Sequence, residues 1–142
     1  MLIRNILEES VRKFDEVKAV KWLNKKEIME RSYGELMENV VSTRKGLLAE
    51  GFEGKHIALI GTSSVEWMES YLGIITGCTT AVPLDAALPC EDLIDLLNRS
   101  DSVALFLSPK LRPYLDAFLE NCPKLQKVWM LQEEVEDAPA KV

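Results

Sequence analysis

The sequence predicts an α/β domain built on a parallel sheet with flanking helices, preceded by an N-terminal helix and a hairpin. From residue 56 onward, short apolar runs alternate with longer segments whose apolar residues recur at helical spacing. The apolar runs are continuous, which is typical of parallel strands that are covered on both faces. Each helix is then expected to connect two parallel strands in the right-handed sense.

The first elements along the chain are predicted to be a short helix and a hairpin. Residues 5–14 form the helix, with Asn5 as its N-terminal capping residue. Two short runs then flank Asn24-Lys25, which we interpret as the turn of the hairpin. The apolar face of the helix carries Ile6, Leu7, Val11 and Phe14.

The next helix, predicted over residues 33–50, has the clearest boundaries. Ser32 precedes it and Glu35 follows three positions later, which is the spacing of a capping box. In that motif each side chain bonds to the backbone N–H of the other residue. Gly51 stands where a left-handed residue commonly ends a helix.

The rest of the chain is predicted to alternate between strands and helices. We place strands at residues 56–61, 79–84, 103–107 and 127–131, and helices at residues 64–77, 88–100 and 108–122. The helix at 64–77 carries apolar side chains nearly all round its axis, so we expect it to be buried on most sides. In the last helix Ser108 is the expected cap and Pro109 the first residue. Pro113 is tolerated in the first turn, or else the helix starts later.

Composition and charge narrow the range of functions. The 142 residues suit one α/β domain at 1–132, followed by an acidic linker or frayed tail at 133–142. A net charge of -6 argues against nucleic acid and anionic membranes as partners. The N-terminus lacks the pattern of a signal peptide, and no apolar run is long enough for a transmembrane segment. A cytoplasmic location is therefore expected.

The residue types that often carry catalysis are not arranged for it. Cys78, Cys90 and Cys122 fit no zinc pattern, and we interpret them as reduced thiols. His56 is the only histidine, and no nearby Cys or Ser is placed for it to activate. Asp85 follows Pro-Leu and is interpreted as a turn residue. No catalytic or metal-binding residue is therefore assigned.

Residues 56–77 raise the question of a phosphate site, because a strand, a tight turn and a helix N-terminus follow one another. After Gly61 come Thr62, Ser63 and Ser64, which are candidates for binding a cofactor. The three glycines of a dinucleotide fingerprint and the Gly-Lys-Ser/Thr of the other nucleotide loop are absent from this stretch. Capping of the following helix by Ser63 or Ser64 is the simpler interpretation.

An ordered series of motifs over residues 32–106 resembles the N-terminal part of the adenylate-forming, AMP-binding acyl-CoA synthetase and ligase superfamily. SYGEL stands at 32–36 where the family often shows Thr-Tyr-x-Glu-Leu, and GKHIAL at 54–59 where it shows Gly-Asp-x-Val-Ala-Leu. SSVEW at 63–67 is similar to Asn-Ser-x-Glu-Trp, and VPLD at 82–85 to Val-Pro-Leu-Asp. With the following Leu-Pro-x-Glu-x-Leu, the series is most similar to the long-chain fatty-acid CoA ligase branch.

The resemblance implies an activity that this chain does not contain by itself. Enzymes of the family use ATP and Mg²⁺ to convert a carboxylic acid into an acyl-adenylate, and usually pass the acyl group to coenzyme A. The family's phosphate loop, its Thr-Glu segment and its catalytic lysine are not found in the 142 residues. The chain alone is therefore expected to be inactive. Its implied partners are the remainder of the same enzyme and a small-molecule carboxylate.

Two alternatives stay open at this point. The chain is either the N-terminal part of an acid–CoA ligase or a self-standing α/β binding or interaction module. A small nucleotide-binding domain that uses residues 61–64 is a further possibility. In a truncated enzyme, an uncovered apolar face would favour a homo-oligomer. A reading frame that continues beyond Val142 into the missing motifs would distinguish the first case from the others.

Overall fold

Residues 2–132 are described by a computed structural model, and they form a four-stranded parallel sheet with helices on both faces and a separate hairpin. The strands are β1 (Lys18–Asn24), β2 (Glu27–Ser32), β3 (His56–Ile60), β4 (Thr80–Leu84), β5 (Ser102–Leu107) and β6 (Lys127–Met130). The α-helices are α1 (Ile3–Phe14), α2 (Tyr33–Ala49), α3 (Val65–Ile75), α4 (Cys90–Arg99) and α5 (Leu115–Asn121). The predicted tail at 133–142 lies outside the described residues.

The sheet has the order β4-β3-β5-β6, and all neighbouring strands are parallel, which confirms the predicted fold class. Its central strand β3 is apolar on both faces. Ile57 and Leu59 enter the core layer beneath α2 and α3, whereas Ala58 and Ile60 enter the layer beneath α4 and α5. All four side chains are fully buried. The continuous apolar run therefore reflects a strand that is covered on both sides.

The capping box at the start of α2 is confirmed. The Ser32 hydroxyl accepts a hydrogen bond from the backbone N–H of Glu35 at 3.1 Å, and the Glu35 carboxylate accepts one from the backbone N–H of Ser32 at 3.3 Å. Hydrogen bonds from the backbone and hydroxyl of Ser32 lower the pKa of Glu35. Beyond the helix, Gly51 has a φ of 76°, which is the left-handed conformation that its position predicts.

The N-terminal helix begins earlier than the sequence predicts. α1 starts at Ile3 with Leu2 in the capping position, so the expectation that Asn5 caps the helix is wrong. Asn5 lies in the first turn, where its side-chain oxygen accepts the backbone N–H of Leu2 at 3.3 Å. Asn5 thus provides a hydrogen-bond acceptor for the backbone N–H of Leu2, which has no partner within the helix. No residue of α1 is buried, and Ile6 and Phe14 are each 50% exposed, so the predicted apolar face is not a core face.

The hairpin turn lies one residue later than predicted. Asn24 still belongs to β1, and the two turn residues are Lys25 and Lys26. Lys25 has a φ of 57°, a conformation that costs a lysine more than it would cost asparagine or glycine. The register of the hairpin is set by cross-strand pairs such as Trp22 with Met29. This register pairs Asn24 with Glu27, so Asn24 stays in the strand despite its preference for turns.

The segment after β5 follows the second of the two alternatives for Pro113. A 3-10 helix spans Pro109–Tyr114, and α5 starts only at Leu115. Proline lacks the N–H that an α-helix interior requires, and the short 3-10 turn accommodates it. Ser108 is the N-cap residue and Pro109 the first residue of this helix, as predicted, but the Ser108 side chain makes no capping hydrogen bond. Its hydroxyl accepts the backbone N–H of Thr62 from the loop after β3 instead, at 3.2 Å.

No residue of helix α3 is fully exposed: five of its eleven residues are buried and the other six are partly buried, which confirms the expectation that it is buried on most sides. Trp67 and Tyr71 stack on each other with ring centroids 5.3 Å apart and stay partly exposed. One side of the helix packs on α2, where a Cβ at Gly73 would lie 2.6 Å from the Cβ of Thr43. The close approach of the two helices thus depends on a small residue. The buried residues of α3 are Val65, Glu69, Ser70, Gly73 and Ile74.

Candidate ligand-binding site

An open cavity of about 420 Å³ lies at the carboxyl ends of β3, β4 and β5. It is lined by residues 61–63 after β3, residues 84–87 at the end of β4, and Ser108, Lys110 and Leu111 after β5. The chain leaves β3 toward the layer of α2 and α3, and leaves β5 toward the layer of α4 and α5. Diverging connections of neighbouring parallel strands open a crevice, which is where ligands bind in open α/β sheets.

The loops after β3 and β5 are held against each other at the base of this cavity. The backbone N–H of Ser108 donates to the carbonyl of Ile60 at 3.0 Å, and the Ser108 hydroxyl accepts from Thr62. A Cβ at Gly61 would overlap the Ser108 hydroxyl. Gly61 is therefore required for the close approach of the two loops, rather than as part of a phosphate-binding glycine pattern.

The three cofactor candidates from the sequence divide into two groups. Thr62 and Ser63 are exposed and line the cavity. The Ser64 side chain accepts the backbone N–H of Trp67 at 3.1 Å and caps α3. The interpretation that Ser63 or Ser64 caps the helix is thus confirmed, and Ser64 is the capping residue. A ligand-binding role for the three residues stays a prediction.

The structure adds two polar residues that sequence reasoning missed. Ser108 and Lys110 reach the same cavity as Thr62 and Ser63, because β3 and β5 are neighbours in the sheet. The sequence contains one indication of their role. Both residues follow closely after an apolar strand, and this position places them at the carboxyl edge of the sheet. Ser108 is buried, and Lys110 is the cationic side chain among the lining residues.

Asp85 shapes the third wall of the cavity. One of its carboxylate oxygens accepts the backbone N–H of Ala87 at 2.9 Å, and its carbonyl accepts the N–H of Leu88 at 3.2 Å. The interpretation of Asp85 as a turn residue is therefore confirmed. Asp85 and Lys110 are the charged residues of the lining, so the lining carries no net charge.

The arrangement can bind a polar or anionic group but offers no acid–base pair. The hydroxyls of Thr62 and Ser63 and the ammonium of Lys110 are hydrogen-bond donors to a phosphate or carboxylate. His56 lies at the start of β3, the end opposite the cavity, and its Nδ1 is 2.7 Å from the carbonyl oxygen of Ser100. One carboxylate, already bonded to Ala87, does not make the oxygen cage that Mg²⁺ prefers. The cavity thus offers hydrogen-bond donors to an anionic group, but its lining does not form a Mg²⁺ site.

Comparison with protein families identifies the chain. A family model described as "AMP-binding enzyme" matches residues 7–141. The chain belongs to the AMP-binding enzyme family. The match covers almost the whole sequence and includes the motifs at 32–106 on which the resemblance was based. The predicted relationship to the AMP-binding superfamily is therefore confirmed.

Solved structures of several ligases and a synthetase share the fold. The coronafacic acid ligase from Pectobacterium brasiliense is 21% identical with a TM-score of 0.86, and the match covers 99% of this chain and 28% of that protein. The anthranilate CoA ligase AuaEII, solved with anthranoyl-AMP, is 18% identical with a TM-score of 0.81, with 92% and 25% covered. A fatty acyl CoA synthetase from Mycobacterium tuberculosis is 18% identical with a TM-score of 0.80, with 91% and 26% covered.

The comparisons also show how much of such an enzyme this chain represents. It spans 25% to 28% of the length of these three relatives, so it corresponds to about a quarter of such an enzyme. A search of curated proteins gave no match. Within residues 2–132, no helix combines the length and the apolar character needed to cross a membrane.

Proposed function

We propose that this chain is the N-terminal part of an ATP-dependent fatty-acid CoA ligase, which forms an acyl-adenylate and then an acyl-CoA thioester. The observation that carries the proposal is the family match over residues 7–141, combined with coverage of only about a quarter of the relatives' length. The long-chain fatty-acid assignment rests on the Pro-Leu-Asp motif and the Leu-Pro-x-Glu-x-Leu motif between residues 83 and 93.

The chain's share of this function is to provide a rigid wall of the substrate site. The cavity at the carboxyl ends of β3, β4 and β5 offers hydroxyls and one ammonium group to an anionic part of a ligand. Transfer of an adenylyl group requires cations and donors arranged around the phosphates of ATP. Lys110 is the lining residue with a positive charge, so the remainder of the enzyme must supply the other groups, Mg²⁺ and the site for coenzyme A.

The test uses the longer protein that contains this chain. Carboxylate-dependent ATP–pyrophosphate exchange is measured over a panel of fatty acids, first for the unmodified protein and then for Lys110→Gln. We expect exchange with fatty acids and a rise of about tenfold in the KM of an anionic substrate in the variant, because one charge-assisted hydrogen bond is lost. Lys26→Gln at the exposed hairpin turn is the matched control. Unchanged KM values for every substrate in Lys110→Gln would refute the role of the cavity.

A second candidate function is a self-standing interaction module. It is favoured by the apolar side chains that α1 and the hairpin leave in contact with solvent, for example Leu23 at 68% and Ile28 at 71% exposure. Paired across the hairpin, these two residues form an apolar tip that suits a partner surface or a second copy of the chain. A stop codon directly after Val142, together with concentration-dependent dimers in light scattering, would favour this function over the first.

A further inference from the structure

A second cavity, of about 460 Å³, lies at the amino ends of β3 and β5, opposite the candidate ligand-binding site. The two cavities share no lining residue. Two lysines and one aspartate give the second lining an excess of one positive charge when its histidine is neutral, although the whole chain has a net charge of -6. This cavity therefore favours an anion. The charged and amide side chains of its lining are Lys55, His56, Asp101, Lys124 and Gln126.

One lysine of this cavity is paired and the other is not. Nζ of Lys124 donates a hydrogen bond to the Asp101 carboxylate, and the hydrogen bond and charge of Lys124 lower the pKa of Asp101. Lys55 makes no ion pair with any residue between 2 and 132. Its backbone is fixed, because its N–H donates to the carbonyl of Phe52 at 2.9 Å and its carbonyl accepts from Thr80 at 3.0 Å. The Lys55 ammonium group is thus a donor available to a ligand.

The ring of His56 is held by a hydrogen bond to the end of α4. Its Nδ1 lies 2.7 Å from the carbonyl oxygen of Ser100, and a carbonyl oxygen only accepts hydrogen bonds, so Nδ1 carries the proton. In the neutral ring the other nitrogen, Nε2, is then an acceptor. His56 is exposed, and its Nε2 has no partner among residues 2–132. The cavity therefore presents an acceptor of fixed orientation beside the Lys55 donor.

This combination of groups selects among anions. A dianion with an O–H group can accept hydrogen bonds from the ammonium of Lys55 and the side-chain amide of Gln126, and can also donate one to Nε2 of His56. Hydrogenphosphate is such a dianion, whereas sulfate and the dianion of a phosphate monoester have no O–H. The same groups do not suit a divalent metal ion, because two ammonium groups would repel it and the carboxylate is already paired.

We propose that the cavity at the amino ends of β3 and β5 binds hydrogenphosphate, with the Lys55 ammonium and the Gln126 amide as donors and His56 Nε2 as the acceptor of its O–H. This site does not depend on the proposed ligase activity, because it lies at the opposite edge of the sheet from the candidate site. The family motif Gly-Asp-x-Val-Ala-Leu has aspartate where this chain has Lys55. The donor is therefore a feature of this chain and not of the motif.

The test is an NMR titration of the 142-residue chain with sodium phosphate at constant ionic strength and about pH 8, where a histidine ring is ordinarily neutral. His56 is the only histidine, so the C–H signals of its ring report on this site alone, and we expect them to shift saturably. Sulfate and methyl phosphate are dianions at this pH but lack the O–H, and each should bind at least about fivefold more weakly. No saturable shift with phosphate, or equal affinity for either of the other anions, would overturn the proposal.

Three variants assign the roles of the two residues. Lys55→Gln should lower the affinity for phosphate at least about tenfold, because a charge-assisted hydrogen bond is lost. Lys26→Gln removes the same charge from the exposed hairpin turn and should leave the affinity unchanged. Equal loss in both variants would show that net charge alone attracts the anion and would refute a specific site.

The third variant, His56→Asn, keeps an N–H for the Ser100 carbonyl but removes Nε2. Phosphate and sulfate should then bind equally, as measured from the methyl signals of Val103 in the same cavity. A preference for phosphate that persists in this variant would refute the role of Nε2. The comparison of the three anions on the unmodified chain does not depend on the folding of any variant.

Discussion

The contact between α2 and α3 can be tested with two glycine-to-alanine substitutions of opposite expected sign. Gly46 lies in α2 and Gly73 in α3, so in each case alanine improves helix propensity by about 1 kcal/mol. A Cβ at Gly46 would meet no other atom within 4 Å. Gly46→Ala should therefore raise the free energy of unfolding by about 1 kcal/mol.

The same substitution at Gly73 places the new methyl group inside the helix contact. Its Cβ would lie 2.6 Å from both Cβ and Cγ2 of Thr43 and 3.1 Å from the backbone carbonyl oxygen of Val40. A Cβ and a carbonyl oxygen cannot rotate away, so the two helices must separate. Overpacking of this kind costs about 1–3 kcal/mol, and we take the upper end because the contacts involve α2 itself. The gain in helix propensity offsets about 1 kcal/mol of this cost. Gly73→Ala should therefore lower the free energy of unfolding by about 2 kcal/mol.

The assay is urea denaturation followed by circular dichroism for both variants and the unmodified chain. The two variants should differ by about 3 kcal/mol, which corresponds to a separation of about 10 °C in Tm for a domain of this size. An unchanged m-value would show that the difference lies in stability and not in the denatured state. If Gly73→Ala is as stable as Gly46→Ala, the close packing of α2 on α3 described above is refuted.

Two further predictions concern single side chains. Ser32→Ala removes the capping box of α2 and should lower the free energy of unfolding by about 1 kcal/mol, measured by urea denaturation. The control is Ser42→Ala at an exposed position of the same helix, which should be neutral or slightly stabilising. Equal effects of the two substitutions would contradict the role of the cap. The second concerns Glu69, whose pKa is raised by burial above its ordinary value of 4.5. The folded chain then binds a proton more readily than the unfolded chain, so the stability that Glu69 contributes is fully present below pH 4.5 and is lost as the pH rises through the raised pKa. Relative to Glu69→Gln, the unmodified chain should become less stable over this interval, and a change in the opposite direction would contradict the burial of the carboxylate.

Local signals in the sequence were sufficient to predict most of the fold. The capping box of Ser32 and Glu35 is a contact between residues three positions apart, so its geometry is contained in the spacing. Likewise, a strand that is apolar at every position, such as residues 57–60, must be covered on both faces. The parallel sheet followed from the alternation of such strands with helices.

Features that depend on contacts between distant residues were not predictable in this way. Ser108 is a good helix cap by sequence, but its hydroxyl is used by Thr62, which is 46 positions earlier in the chain. The burial of Glu69 depends on Arg31, a partner in the hairpin that no local pattern indicates. Lys110 enters the candidate site only because β5 is inserted next to β3 in the sheet. Each of these contacts depends on the tertiary arrangement. The sequence pattern predicts the fold class but does not specify which distant residues come into contact.

The most direct test of the proposed function is ATP–pyrophosphate exchange measured in parallel on the 142-residue chain and on the longer protein that contains it. The longer protein should catalyse exchange that depends on an added fatty acid, because it would add the phosphate-binding loop, the Mg²⁺ ligand and the mobile lysine that the family resemblance implies. The 142-residue chain should give no exchange above the background without fatty acid. Fatty-acid-dependent exchange by the 142-residue chain alone, or its absence from the longer protein, would contradict the proposal.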